Sequence, residues 1–142
     1  MLSHIVQTLD QRVENKPIAG AIGPGGCKVV VLLGHDTNLA GTASLLGLHW
    51  LLDGRSDDTP PGTELLFELW QDARGDYSVS VTVAMQTLGQ LRNLAPLTMA
   101  TPPAHLRLAP MACGTGRCSW WQFQQIAGSA IDADSVFPMA TQ

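Results

Sequence analysis

The stretch KVVVLLGHDTNLAGTASLLG, residues 28–47, decides the fold. Its first six residues, 28–33, form a continuous apolar run with three adjacent valines, which is typical of a strand buried on both faces of a parallel sheet. A glycine ends the run, and four polar residues follow before small and apolar residues resume at helical spacing. The pattern predicts a strand over residues 28–33 and a helix from about residue 38 to residue 46, which Gly47 can end.

The turn between this strand and this helix is a candidate site, because open α/β sheets bind ligands at the carboxyl ends of their strands. The first turn of a helix offers unpaired N–H groups and a partial positive charge, so a phosphate can bind there. Asp36, as a neutral carboxylic acid, can donate a proton to a leaving oxygen. His35 can hydrogen-bond a phosphate oxygen, best at acidic pH where it is protonated. The alternative is that Asp36 or Thr37 is an ordinary N-cap of the helix.

The rest of the chain shows both helical and strand periodicity. Apolar residues at positions 2, 5, 6, 9 and 13 predict a first helix over about residues 3–15. Residues 64–70 and 77–85 alternate apolar and polar side chains and predict two strands joined by a hairpin loop. A short helix in residues 86–93, a short strand at 105–108 and a last helix over 119–131 complete the prediction.

The predicted sheet lacks neighbours for its central strand. A strand of the 28–33 type needs a partner on each side, yet the other predicted strands form an antiparallel hairpin with one polar face each. Two arrangements remain open. Residues 28–33 lie at the edge of the hairpin under flanking helices, or their natural neighbours are missing and an apolar edge is exposed.

Composition and charge exclude some classes of function. The chain has 142 residues, 45% of them hydrophobic and 14% charged, which fits one domain without long charged tracts. A net charge of −4 without a basic run argues against nucleic acid as a partner. No apolar run is long enough to span a membrane. The polar first sixteen residues do not read as a secretory signal, which predicts a cytoplasmic protein or an N-terminus upstream of Met1.

The three cysteines are informative by position rather than by number. Cys113 and Cys118 bracket the short loop GTGR, which a disulfide can close, and such a bridge implies an oxidising compartment. Two unpaired thiols are the alternative. Cys27 has no obvious partner in the sequence.

Four blocks together resemble one enzyme family. HDTNLA, DDTPPGTELLFELW, QTLGQLRN and CGTGRC occur in the order found in the C-terminal part of the histidine acid phosphatases, most like their bacterial phytase and acid phosphatase branch, with glucose-1-phosphatase as a near relative. The resemblance covers the chain from about Leu2 onward. It implies that residues 1–142 are a single partial domain, the C-terminal portion of a phosphoglycerate-mutase-like α/β domain with one parallel-type strand, an antiparallel hairpin and flanking helices.

The resemblance also implies a reaction and a site. The family hydrolyses phosphomonoesters such as phytate or a sugar phosphate through a phosphohistidine, in the periplasm and without a metal or other cofactor. Asp36 matches the family's proton donor to the leaving alcohol, His35 matches a phosphate-binding histidine, and Thr37 matches a substrate-contacting threonine. Cys113 and Cys118 match a disulfide pair of the family.

The chain departs from the family at the nucleophile. The family's Arg-His-Gly-x-Arg-x-Pro motif, which carries the nucleophilic histidine, does not occur here, and neither do the arginines that clamp the phosphate. We therefore expect a chain that is inactive alone and whose partner is the missing N-terminal part of the same enzyme. The alternatives are a non-catalytic phosphate-binding or chain-pairing remnant, and two-chain complementation with a separately made N-terminal half.

Overall fold

The computed structural model describes residues 1–110, 113–114 and 117–136, which contain both helices and strands. The helices are α1 (Leu2–Glu14), α2 (Asp36–Leu45), α3 (Leu88–Arg92) and α4 (Trp120–Ala130), and a 3-10 turn covers Ala133–Ser135. The strands are β1 (Leu51–Leu52), β2 (Arg55–Ser56), β3 (Glu64–Gln71), β4 (Tyr77–Met85), β5 (Ala104–Leu108) and β6 (Cys118–Ser119). None of the helices in these ranges has the length and hydropathy needed to cross a bilayer.

The main sheet is built on the β3–β4 hairpin. The two strands are antiparallel over their whole length, so that Leu65 lies opposite Val83 and Leu69 lies opposite Val79. β5 pairs antiparallel with the second half of β4, and β6 pairs with its beginning. The alternation in the sequence predicted this hairpin and the apolar face it presents, and the structure confirms both.

The core lies on the apolar face of β4, where α4 packs against the sheet. Val79, Val81 and Val83 are at most 2% exposed, and Phe123 of α4 is fully buried above them. The ring of Phe123 lies 6.2 Å from that of Phe67 in an edge-to-face arrangement. Each fully buried side chain of this kind contributes about 1.5–3 kcal/mol to the free energy of unfolding.

α1 holds the loop that precedes residues 28–47. The apolar stripe of α1 packs against the core, and polar side chains on another part of the helix hold the loop. Thr8 Oγ1 accepts a hydrogen bond from the N–H of Ile22 at 2.9 Å, and Gln11 Nε2 donates one to the carbonyl of Gly23 at 3.0 Å. These bonds hold the loop against α1 and so fix the position from which the chain continues into residues 28–33.

Residues 28–33 do not form the predicted strand. They have no strand partner among the described residues, and Val29, Val31 and Leu33 are 77%, 74% and 94% exposed. The prediction of a buried strand here is wrong for the chain as it stands, and the segment does not extend the hairpin edge either. The physical reason is that a strand exists only through hydrogen bonds to a neighbour, which local apolarity cannot supply. The mixed α/β class with an antiparallel sheet and flanking helices is confirmed.

Hydrogen bonds and ion pairs of charged side chains hold the loop after α2. The Arg55 guanidinium donates to the carbonyl of Gln86 at 2.8 Å and pairs with Asp53 and Asp58. The Asp57 carboxylate accepts the N–H of Trp50 at 2.7 Å. These bonds tie residues 50–58 to the start of α3 and give this polar loop a fixed shape.

Candidate functional site at the start of the second helix

The predicted site residues lie together where α2 begins. The helix starts at Asp36, two residues before the position predicted from the sequence, because His35 rather than Asp36 or Thr37 is the N-cap residue. The backbone of His35 is extended, with φ −109° and ψ 170°. The expectation that Asp36 or Thr37 caps the helix is therefore wrong, and both lie in its first turn.

Asn38 fixes this helix start and was not assigned a role from the sequence. Its Oδ1 accepts the N–H of His35 at 2.8 Å, and its own N–H donates to the carbonyl of His35 at 3.0 Å. A Cβ at Gly34 would lie only 2.8 Å from the same Oδ1, so the glycine leaves room for the amide. A polar residue three positions after an N-cap is the signal that could have identified Asn38.

The Asp36 carboxylate has one anchored oxygen and one open oxygen. Oδ1 accepts the backbone N–H of Thr37 at 2.8 Å, which holds the carboxyl group over the first turn. Oδ2 has no hydrogen-bond partner among the described residues, and the residue is exposed. An anchored carboxyl group with a free oxygen can exchange a proton with a bound substrate.

His35 and Thr37 are the sequence neighbours of Asp36, and both are exposed. The N-terminal end of α2 adds the partial positive charge of a helix start, which favours an anion. The three predicted site residues are thus consecutive at the helix start and all exposed to solvent.

The pKa shifts that the structure produces lie away from this turn. The hydrogen bond from His49, at 2.9 Å, and that from the N–H of Trp50 lower the pKa of Asp57. Burial near α4 raises the pKa of Asp10. Within the described ranges no three His, Cys, Asp or Glu side chains come together as a metal-ligating group.

The structure joins the two cysteines of the predicted pair. Cys113 and Cys118 form a disulfide, and Cys118 lies in β6 opposite Val79. The bridge thus closes the loop before α4 and belongs to the sheet, not to the start of α2. Two residues of the predicted GTGR loop, 115 and 116, lie outside the described residues, as do residues 111–112 and the end of the chain from 137 onward.

The candidate site therefore consists of a helix start that carries an exposed His-Asp pair on a mixed α/β fold. A sequence model of the histidine phosphatase superfamily, branch 2, matches residues 2–84, which include α1, the site and the β3–β4 hairpin. The match covers more than half of the chain. The chain belongs to branch 2 of the histidine phosphatase superfamily.

Individual relatives agree with this assignment. The chain is 40% identical over 107 residues to phytase AppA of Escherichia coli strain K12 and 34% identical over 111 residues to a glucose-1-phosphatase of Providencia rettgeri. These matches cover 72% and 74% of this chain. The solved structure of Hafnia alvei phytase in complex with tartrate superposes with a TM-score of 0.82 and 34% identity over 96% of this chain.

The relatives are much longer than the matched part. The chain spans 25% and 26% of the two curated relatives and 34% of the Hafnia alvei phytase. The matched part is thus about a quarter of each curated relative and about a third of the Hafnia alvei phytase.

Proposed function

We propose that this chain supplies the proton-donor half of an active site for phosphomonoester hydrolysis of the acid phosphatase and phytase type. Asp36 is the proton donor, His35 binds the phosphate and Thr37 contacts the substrate. The observation that carries the proposal is the open Oδ2 of Asp36, held beside His35 at the start of a helix in a chain of this family.

The chemistry needs two displacements at phosphorus. A histidine from sequence outside this chain attacks the phosphorus atom, and the bond to the alcohol oxygen breaks as Asp36 transfers its proton to that oxygen. Water then attacks the phosphohistidine, the Asp36 carboxylate takes the proton of the water, and inorganic phosphate leaves. His35 and the N-terminal end of α2 stabilise the charge on the equatorial oxygens.

The substrate class follows from the relatives and the chemistry. Two of them are named a phytase and a glucose-1-phosphatase, so phytate and sugar phosphates are the proposed substrates. The reaction uses no metal or other cofactor in this proposal. The disulfide between Cys113 and Cys118 fits an oxidising compartment, and we place the enzyme in the periplasm.

The chain alone is proposed to be inactive. The Arg-His-Gly-x-Arg-x-Pro motif is absent from its sequence, and the three site side chains face solvent. Without a nucleophile no phosphohistidine forms. The exposed site also leaves the transition state open to water. As a single partial domain, residues 1–142 need the remaining part of the enzyme to complete the site.

A second candidate is a non-catalytic remnant that binds phosphate or another chain. The open, single-walled geometry of the His35 turn favours it, because anion binding at a helix start needs no second wall. Saturable binding of inorganic phosphate to the chain, together with no activity in any assembled form, would favour this candidate over the enzyme.

The test is a single-chain chimera in which this chain replaces the matched third of the Hafnia alvei phytase. We expect the chimera to hydrolyse both p-nitrophenyl phosphate and an alkyl phosphate at acid pH. Asp36→Asn should lower kcat on the alkyl phosphate by about 10²–10⁴-fold, since an alkoxide leaves poorly without a proton. The loss on p-nitrophenyl phosphate should be smaller, because its leaving group is a weaker base.

Asp76→Asn is the matched control, because Asp76 is an exposed aspartate in the β3–β4 hairpin loop. It should leave both rates unchanged. Equal losses on the two substrates after Asp36→Asn would contradict the proton-donor role. Turnover of p-nitrophenyl phosphate by the chain alone, abolished by Asp36→Asn, would show that the nucleophile is present here after all.

A further inference from the structure

α2 differs from α3 and α4 in the residue at its N-cap. At α3 the hydroxyl of Thr87 accepts the N–H of Gln90 at 3.1 Å, and the side chain of Gln90 accepts the N–H of Thr87 in return at 2.9 Å. Ser119 and Gln122 form the same reciprocal pair at the start of α4. Serine and threonine are preferred N-caps, whereas histidine, which occupies this position at α2, is not. N-cap preference therefore does not explain where α2 begins.

Residues better suited to the N-cap lie just inside α2. Asp36 and Thr37 are its first two residues, and aspartate is among the most strongly preferred N-caps. If Asp36 were the N-cap, its carboxylate would accept the N–H of Asn38 or Leu39, two or three residues ahead. The carboxyl group would then turn over the first turn of the helix and away from the position in which Oδ2 is now free. A helix that began at its preferred residue would thus engage the proposed proton donor.

Asn38 holds the helix start one residue earlier. Its Oδ1 accepts the N–H of His35 at 2.8 Å, and its own N–H donates to the carbonyl of His35 at 3.0 Å. Both bonds end on the backbone of His35, which is extended, and Asp36 follows as the first residue with helical backbone. Asn38 thus does for His35 what a glutamine does at the starts of α3 and α4.

Gly34 leaves the space that the Asn38 amide occupies. A Cβ at residue 34 would lie 2.8 Å from Asn38 Oδ1 and 3.2 Å from Asn38 Cβ. Gly34 is not among the residues with positive φ in the described part of the chain, so the close approach of Asn38, and not a left-handed backbone, favours a glycine here. Gly41, within α2, is different, because a Cβ there would meet nothing within 4 Å outside the backbone of its own helix.

We propose that Gly34 and Asn38 are positioning residues for the proposed reaction. They hold the start of α2 at His35, and so they keep the Asp36 carboxyl group out of the N-cap position and free to donate its proton. The catalytic part of this proposal rests on the proposed role of Asp36. The competition between His35 and Asp36 for the N-cap position does not rest on it, and it can be measured without any activity.

A double-mutant cycle in the intact chain tests this competition. Asn38→Ala removes the acceptor for the N–H of His35 and should let Asp36 become the N-cap. Asp36→Ala should therefore raise the equilibrium constant for unfolding about fivefold more in the Asn38→Ala background than in the parent chain, which is the usual effect of losing an N-cap. Urea unfolding followed by tryptophan fluorescence measures both. Equal effects of Asp36→Ala in the two backgrounds would overturn the proposal.

The phytase chimera measures the consequence for catalysis. Asn38→Ala should lower kcat on the alkyl phosphate at least about tenfold, and on p-nitrophenyl phosphate by less, as expected when the proton donor is misplaced. Asn38→Gln should stay within about threefold of the parent chimera, because a glutamine at this helix position can accept the N-cap N–H. Equal losses on the two substrates, or a glutamine variant as slow as Asn38→Ala, would overturn the proposal.

Two glycine variants of the chimera form a matched pair. Gly34→Ala should displace the Asn38 amide and reproduce the unequal losses of Asn38→Ala. Gly41→Ala, in the same helix but with open space around the added methyl group, should keep both rates within about twofold. Far-ultraviolet circular dichroism checks that each variant is folded. Equal rates for the two glycine variants would overturn the proposal.

The two kinds of measurement separate this proposal from the catalytic one. If Asp36→Asn leaves the alkyl phosphate rate unchanged while the cycle shows the expected coupling, the proton-donor role is contradicted and the control of the helix start is supported. If Asp36→Asn slows the alkyl phosphate as expected but the cycle shows no coupling, the proton-donor role is supported and the positioning role is overturned.

Discussion

Two sets of three valines in this chain differ in burial. Val79, Val81 and Val83 of β4 are buried in the core, whereas valines 29–31 are exposed. The residue type is the same, and both stretches read as strand in the sequence. The difference lies in the neighbours: β4 has β3, β5 and β6, and residues 28–33 have no strand partner among the described residues.

This contrast shows that burial in a sheet depends on pairing between distant segments. β3 and β4 lie five residues apart and can form a hairpin from local sequence. A parallel strand needs a partner that arrives through a long crossover connection. The candidate site at His35 directly follows the unpaired segment, whereas the packed core lies on the paired strands.

The largest expected effect is in the packed region. Phe123→Ala should lower the free energy of unfolding by about 3–5 kcal/mol, because it leaves a large cavity above β4. Leu33→Ala, at a residue 94% exposed, should change it by no more than about 0.5 kcal/mol. Urea unfolding followed by tryptophan fluorescence measures both. A similar cost for the two variants would remove the contrast between the regions.

A matched pair of valines sharpens the comparison. Val81→Ala should lower the free energy of unfolding by roughly 1.5–3 kcal/mol, since a fully buried apolar side chain is truncated. Val31→Ala should be close to neutral in the same urea experiment. If Val31→Ala cost as much as Val81→Ala, residues 28–33 would be packed in solution.

Removal of the disulfide measures how much a covalent cross-link stabilises the packed region. Cys113 and Cys118 are five residues apart, and closing so short a loop stabilises a protein by roughly 2 kcal/mol in the chain-entropy account. Cys113→Ser should lower the free energy of unfolding by about that amount. Cys27→Ser is the control, because Cys27 is exposed and unbridged, and should change little. Equal effects would show that the bridge does not constrain the unfolded chain.

The smallest effect is a pH dependence in the loop after α2. The hydrogen bond from His49 lowers the pKa of Asp57 below its usual 3.8. The stabilisation is therefore fully present above that value and is lost as the pH falls through the lower pKa of the folded state. Asp57→Asn should flatten the decline of Tm in this acid range. An unchanged decline would mean that the His49 contact is not formed in solution.

Much of the fold was predictable because its signals are local. The stripe of α1 and the alternation of β3 and β4 placed these elements within about one residue of their observed ends. The segment 28–33 was wrongly predicted as a strand for this chain. Its apolar residues show that it is suited to a buried sheet, but whether a neighbouring strand is present does not follow from these six residues.

The start of α2 was predicted only in part for a related reason. Polar residues directly after an apolar run predicted a ligand-binding turn at His35, Asp36 and Thr37. The helix start is observed there, and the roles of the three residues stay a prediction. The helix start itself was misplaced, because the capping residue is a histidine whose N–H is bound by Asn38, and histidine is not among the preferred N-caps.

Native-state hydrogen exchange of the chain alone tests the central claim most directly, namely that the segment leading to the His35 turn is unpaired while the hairpin core is formed. The account predicts that the amides of residues 29–33 exchange at nearly the rate of an unfolded chain, and that those of residues 79–83 are protected to near the global free energy of unfolding. Equal protection of the two valine stretches would contradict it.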